Sequence, residues 1–291
     1  MRTGVLRMAL TGACALWAVS GAAAAPAIRW APSLTQALAQ AKKTNKLVMV
    51  DFYTDWCGWC KELDKNTYTS AKVGEITNRH YVAVKVNAEK GGTAAARKYQ
   101  VNGFPTILFL TGTGEAVGRI VGYMPAEPFA ERITQIATAH RELPALEARL
   151  KADPGDAEAA ARLSAIYAAR GNAERASGLL ATAERVDPGN QCGALAAAYN
   201  ALGDHYQEEE QFERAVPLFR KGAQTAARPA EAAYARLSIA ACFLSQQRPE
   251  EAVPELEAVI KMPGAPEELK AQAGQLLEVT RQKAQGSSAL P

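Results

Sequence analysis

Two cysteines three residues apart, Cys57 and Cys60, stand in the segment Asp51-Phe52-Tyr53-Thr54-Asp55-Trp56-Cys57-Gly58-Trp59-Cys60-Lys61. Thiols at that spacing lie on one helix face, so the pair can close into a disulfide and reopen. The same two residues also suit half of a zinc site or a structural bridge. No second CxxC exists, and His80, His140 and His205 lack ligand spacing. A structural bridge across so short a loop would remove little unfolded-state entropy. The spacing therefore favours a redox-active dithiol, with no metal and no cofactor beyond the disulfide itself.

The elements around the pair support that chemistry. Residues 47–52 form an apolar, β-branched run that predicts a buried strand, and residues 61–65 are rich in helix formers. A strand aimed at a helix start puts Cys57 at the unpaired N–H groups and the positive end of the helix dipole. Both stabilise a thiolate, which makes Cys57 the expected nucleophile and Cys60 the resolving thiol. Asp51 is the one charge in this apolar strand and is expected to face inward near the dithiol. Burial raises a carboxyl's pKa, so Asp51 can take the proton of Cys60 as that thiol attacks. Lys85, on the next strand, is its expected ion-pair partner.

The dithiol segment, Lys85-Val86-Asn87 closing a second strand and Gly103-Phe104-Pro105-Thr106 opening a third resemble the thioredoxin superfamily in identity and order. In detail they resemble the C-terminal thioredoxin-like domain of DsbD-type periplasmic disulfide reductases, over residues from about 30 to about 140. The resemblance assigns Asp51 and Lys85 their proton-handling role and implies a cis bond before Pro105, beside the dithiol. It lets Phe104 and Thr106 present themselves to an extended client, and it places Gly122 where the backbone passes close to the site. Gly58 and Trp59 would meet the client, with Trp59 exposed. Trp56 flanks the pair, chiefly as packing, and completes the expected contact set. Gly-Trp between the cysteines departs from the common Gly-Pro, Gly-His and Pro-His. Lack of a histidine there points to the reducing end of the ~−270 to −120 mV range.

At 291 residues the chain predicts two domains. Residues 1–25 carry two arginines, an apolar run and a small-residue tail, and read as a cleaved signal peptide; the mature protein is expected in the periplasm. Removing Arg2 and Arg7 lowers the net charge from +3 to +1, which gives no hint of nucleic acid. Cys14 falls in the signal, so four cysteines remain. Residues 28–141 predict the thioredoxin-like domain. It has an opening helix at 33–45, a strand at 81–87, a short helix at 93–99, a hairpin over 107–121 and a closing helix at 128–139. Residues 141–144 read as the linker.

Residues 144–285 are alanine-rich and helical in pattern. Asp153-Pro154-Gly155-Asp156 returns 34 residues later as Asp187-Pro188-Gly189-Asn190, and Pro229 and Pro263 share that interval. This period marks tetratricopeptide (TPR) repeats. Three are predicted, at 157–190, 196–229 and 233–266, with a capping helix at 267–283 and a frayed tail. Tyr167, Tyr206 and Phe243 recur as core. The groove would be lined by Ala161, Ala165 and Ala168, then Asn200, Asp204 and Gln207, then Leu237, Ala241 and Leu244. It lacks the Lys/Asn pattern that clamps a C-terminal carboxylate. Cys192 is expected to open a helix and Cys242 to sit mid-helix, too far apart to bridge.

The expected class is an α/β thioredoxin fold followed by an all-α TPR solenoid. The expected activity is reduction of disulfides in exported proteins, with electrons from a membrane-embedded thiol reductant and an unknown protein or peptide in the groove. The alternatives are a TPR adaptor whose thioredoxin domain only docks, or an oxidase or isomerase.

Overall fold

The structure, a computed structural model, describes residues 27–287. The signal peptide predicted at 1–25 lies outside the described residues. A five-stranded sheet has the order β1-β3-β2-β4-β5, built from β1 (Trp30–Ala31), β2 (Leu47–Tyr53), β3 (Tyr81–Asn87), β4 (Thr106–Leu110) and β5 (Ala116–Val121). β1, β3 and β2 run parallel, whereas β4 and β5 are antiparallel to their neighbours. β2 is central and has helices on both faces, which is why it reads as a continuous apolar run.

Alternation along β2 divides its side chains between two cores. Val48, Val50 and Phe52 pack towards α1 (Leu34–Thr44) and α4 (Thr93–Lys98). Leu47 and Met49 join Leu63, Phe129 and Ile133 on the opposite face. Asp51 shares the parity of Leu47 and Met49, and Lys85 that of Tyr81 and Ala83. Both therefore sit on the face covered by α2 (Gly58–Glu62) and its extension.

Five features depart from the sequence reading. A helix α3 (Ala71–His80) follows the polar stretch, and the short edge strand β1 was not foreseen. α2 continues as a π-helical turn over Leu63–Thr67, where Tyr68 N–H donates to the Leu63 carbonyl at 3.0 Å. The closing helix α5 spans Ala126–Ala152 and runs straight through the residues read as a linker, with Pro144 inside it. Proline removes one helical hydrogen bond, but Leu143, Leu146 and Leu150 pack the far half of α5 into the core of the hairpins. Glu142 pairs with Arg162, Arg149 with Asp156 at 2.9 Å, and Glu147 with Arg175 at 2.9 Å. Finally, Cys192 sits in a turn ahead of α8, its N–H bonded to Asp187 Oδ2 at 2.8 Å. Cys192 and Cys242 are free.

Three helix hairpins follow, one in each predicted repeat: α6 (Ala157–Ala169) with α7 (Ala173–Val186), α8 (Leu195–Glu208) with α9 (Phe212–Thr225), and α10 (Pro229–Ser245) with α11 (Pro249–Ile260). α12 (Glu267–Ser287) packs on the last. Each hairpin repeats one contact, an arginine stacked on the recurring aromatic: Arg175 on Tyr167 at 3.9 Å, Arg214 on Tyr206 at 3.8 Å, Arg248 on Phe243 at 4.9 Å. Ala161 and Ala168, expected in the groove, are buried in the packing between helices instead. No described helix is long and apolar enough to cross a membrane.

Candidate active site

β2 ends at Tyr53, and a tight turn delivers Cys57 to the start of α2, where Cys57 N–H donates to the Thr54 carbonyl at 3.3 Å. Cys57 is the N-cap: its backbone is extended, and its sulfur accepts from Cys60 N–H at 3.0 Å. A sulfur bearing negative charge at that position is stabilised by a donated N–H and by the helix dipole. Cys57 and Cys60 are joined as a disulfide with Cα atoms 5.3 Å apart. Both are buried, yet Trp56 and Trp59 beside them are 67% and 63% exposed. Trp56 thus differs from the packing role expected of it. The turn at 55–56 lifts its ring to the surface, where Nε1 donates to Glu89 at 2.9 Å and the ring meets Phe104 edge-on at 6.1 Å. Trp59 stacks on Tyr123 at 5.6 Å. A Cβ on Gly58 would meet nothing within 4 Å, so this side of the dithiol is open.

Asp51 is almost fully buried, and Lys85 Nζ lies 3.1 Å from its Oδ2. Neither carboxylate oxygen makes a well-directed hydrogen bond among the described residues. Burial raises the Asp51 pKa to about 6, against the opposing pull of Lys85. A buried, poorly bonded carboxylate is costly to keep, and such groups cluster at functional sites. Lys85 also pairs with Asp64. Burial alone would lower the lysine's pKa, but the two carboxylates outweigh it and the net shift is upward. The rings of Trp30, Tyr53 and Tyr68 surround its ammonium at 5.1–5.5 Å. A pocket of about 590 Å³, lined by these groups and Asp64, opens this cluster to solvent.

Asp64 and Tyr68 were missed by the sequence reading. Asp64 lies four residues after Cys60, on the same helix face, a spacing that could have flagged it. Tyr68 reaches the cluster only because the π-helical turn resets the helix phase, which no residue pattern announced.

The peptide bond between Phe104 and Pro105 is cis. The Pro105 carbonyl accepts from Gly122 N–H at 2.8 Å, and Gly122 has a φ of 82°. These two segments meet because β4 and β5 pair Thr106 with Val121. Thr106 itself is buried, its hydroxyl donating to the Gly103 carbonyl at 2.8 Å. Its side chain braces the loop and is not presented to a client. Among the described residues no three His, Cys, Asp or Glu gather to hold a metal.

Residues 34–137 match a family model described as a thioredoxin-like domain. The thiol:disulfide interchange protein DsbD of Vibrio cholerae is 38% identical over 107 residues, 35% of this chain and 18% of that protein. Its counterpart in Salmonella typhi is 39% identical over 111 residues, 37% of this chain and 19% of that protein. Among solved structures, the oxidised C-terminal domain of Neisseria meningitidis DsbD matches at 25% identity and a TM-score of 0.31, covering 34% of this chain and 89% of that one. The chain spans about a fifth of the length of the curated relatives it matches.

Proposed function

With a thioredoxin-like domain over residues 34–137 as the premise, we propose that the protein is an exported, periplasmic thiol–disulfide oxidoreductase acting mainly as a reductase of protein disulfides. One observation carries this reading. A disulfide capping a helix N-terminus sits on the sheet face that buries Asp51, a carboxyl held near neutrality at about 6.

In the reduced protein, the Cys57 thiolate attacks one sulfur of a client disulfide. The client's S–S bond breaks, a Cys57–client bond forms, and one client thiolate leaves. Asp51 takes the Cys60 proton, and the Cys60 thiolate attacks the Cys57 sulfur. The Cys57–Cys60 bond forms and the second client sulfur leaves with the electron pair. Two electrons have then passed to the client, and the proton on Asp51 leaves past Lys85 and Asp64. A membrane-embedded thiol reductant restores the dithiol. Trp56, Gly58, Trp59, Phe104 and Gly122 frame the client beside the cis bond at Pro105, and the helical hairpins are TPR-type repeats.

A Cys60→Ser variant tests the reading. It should accumulate clients on Cys57 as mixed disulfides that dithiothreitol releases. If no trapped species forms and a Cys57→Ser/Cys60→Ser double variant keeps full function, the protein is an adaptor. Redox equilibration with glutathione tests direction, since a potential near ~−120 mV would mark an oxidase instead.

A further inference from the structure

A cavity of about 1100 Å³ lies between the sheet domain and the helical hairpins. β5 and α5 form one wall and α6, α8 and α10 the other. The groove predicted within the repeats is therefore a composite cleft, one wall of which comes from β5 and α5.

The cleft is continuous with the dithiol. Phe52 pairs with Thr106 and Thr106 with Val121, so Val121 stands at the end of the sheet that delivers Cys57. Val121 is 63% exposed and lines the cleft, as does Met124. Between them, Gly122 bonds Pro105 and Tyr123 stacks on Trp59. The aromatic platform beside the dithiol and the mouth of the cleft thus share a border. β5 is the last strand of the sheet, and an open strand edge is a template for an extended chain. Opposite it, α8 presents Ala197, Ala201, Asp204 and Glu208 to the cleft, at one-turn spacing. Asp204 accepts from Tyr234 Oη at 2.7 Å. No cation lies within ion-pair distance of Asp204 or Glu208 among the described residues, although Arg132 of the same cleft attracts both and Arg119 attracts Glu208. Two like charges a turn apart are unfavourable, and these arginines screen them only from beyond contact distance.

We infer that this cleft seats an extended polypeptide segment flanking the client's disulfide, with a basic side chain reaching Asp204 and Glu208 on α8. The inference rests on the thiol–disulfide reading of Cys57 and Cys60. It makes the helical half part of the client site, not a separate adaptor.

The test uses the full-length reduced protein and three disulfides. One is 5,5′-dithiobis(2-nitrobenzoate), which has no arm. The second is a short cystine peptide. The third is the same peptide with an arm of about ten residues carrying lysine, which reaches about 33 Å when extended. The armed peptide should be reduced roughly tenfold faster than the short one, the equivalent of about 1.4 kcal/mol of added binding. Ala197→Trp and Ala201→Trp, which fill the cleft, should abolish that gain and leave the rate on the armless reagent unchanged. The double variant Asp204→Asn/Glu208→Gln adds no bulk and should remove the lysine advantage. No arm preference in the unsubstituted protein, or a preference that survives all three changes, overturns the inference. Failure to reduce any of the disulfides overturns the thiol–disulfide reading beneath it.

Discussion

Replacing Asp51 with asparagine should stabilise the sheet domain at neutral pH, although it removes one partner of an ion pair. Burial raises this carboxyl from 3.8 to about 6 despite Lys85 beside it. At ~1.36 kcal/mol for each tenfold change in proton affinity, that difference of about two decades makes ionised Asp51 destabilising by about 3 kcal/mol. Lys85 keeps Asp64 after the substitution, so its ammonium is not left unpaired. The sign follows from proton binding. Below pH about 4 both folded and unfolded carboxyls are protonated, and the variant has no advantage. Between about 4 and 6 the folded chain holds a proton that the unfolded chain has lost, so stability falls as pH rises. Above about 6 the full penalty applies. Every tryptophan among the described residues (Trp30, Trp56 and Trp59) lies in the sheet domain, so urea unfolding followed by tryptophan fluorescence reads that domain alone. The oxidised variant should gain about 3 kcal/mol at pH 7 and close to nothing at pH 4. Equal gains at both pH values, or a loss at pH 7, would refute the assignment of a buried, costly carboxylate. In the same variant, resolution of a Cys57 mixed disulfide should slow and lose its inflection near pH 6.

Gly122→Ala should cost roughly 1–2 kcal/mol in the same fluorescence assay. The site has space for a Cβ, but φ is 82° and the N–H must still reach Pro105. Gly203→Ala should destabilise the helical half by roughly 1–3 kcal/mol, because its Cβ would lie 2.7 Å from the Phe219 ring. Circular dichroism should register that loss while tryptophan fluorescence does not move first. Phe219→Ala, at a fully buried position, should cost roughly 3–5 kcal/mol by the same readout.

What the sequence disclosed about the site follows from how local each feature is. Cys57 and Cys60 are legible because their spacing is local, whereas the cis bond before Pro105 is implied only by the resemblance. Asp51 and Lys85 are legible because a charge inside an apolar strand is anomalous wherever it occurs. Asp64 and Tyr68 depend on a π-helical turn, whose extra residue changes which side chains share a face. Trp56 was read as packing because large aromatics usually bury, yet the turn after Thr54 exposes it. Pro144 reads as a stop because it cannot donate a hydrogen bond. Leu143, Leu146 and Leu150, packed into the core of the hairpins, carry the helix past it, and the exposed ion pairs of Glu142, Glu147 and Arg149 add little. The groove was predicted from the repeats alone. That β5 and α5 supply its other wall is a long-range fact with no local signature.

α5 gives Phe129, Ile133 and Ile136 to the core beneath the sheet and Leu146 to the core of the hairpins. It works as a shared beam: a break anywhere along it strips buried packing from one half or the other. Separately expressed halves would each need the whole of residues 126–152, and a fragment ending near residue 141 would leave the first hairpin without its buttress. The redox module and the helical array are thus joined through one helix that neither half can give up whole.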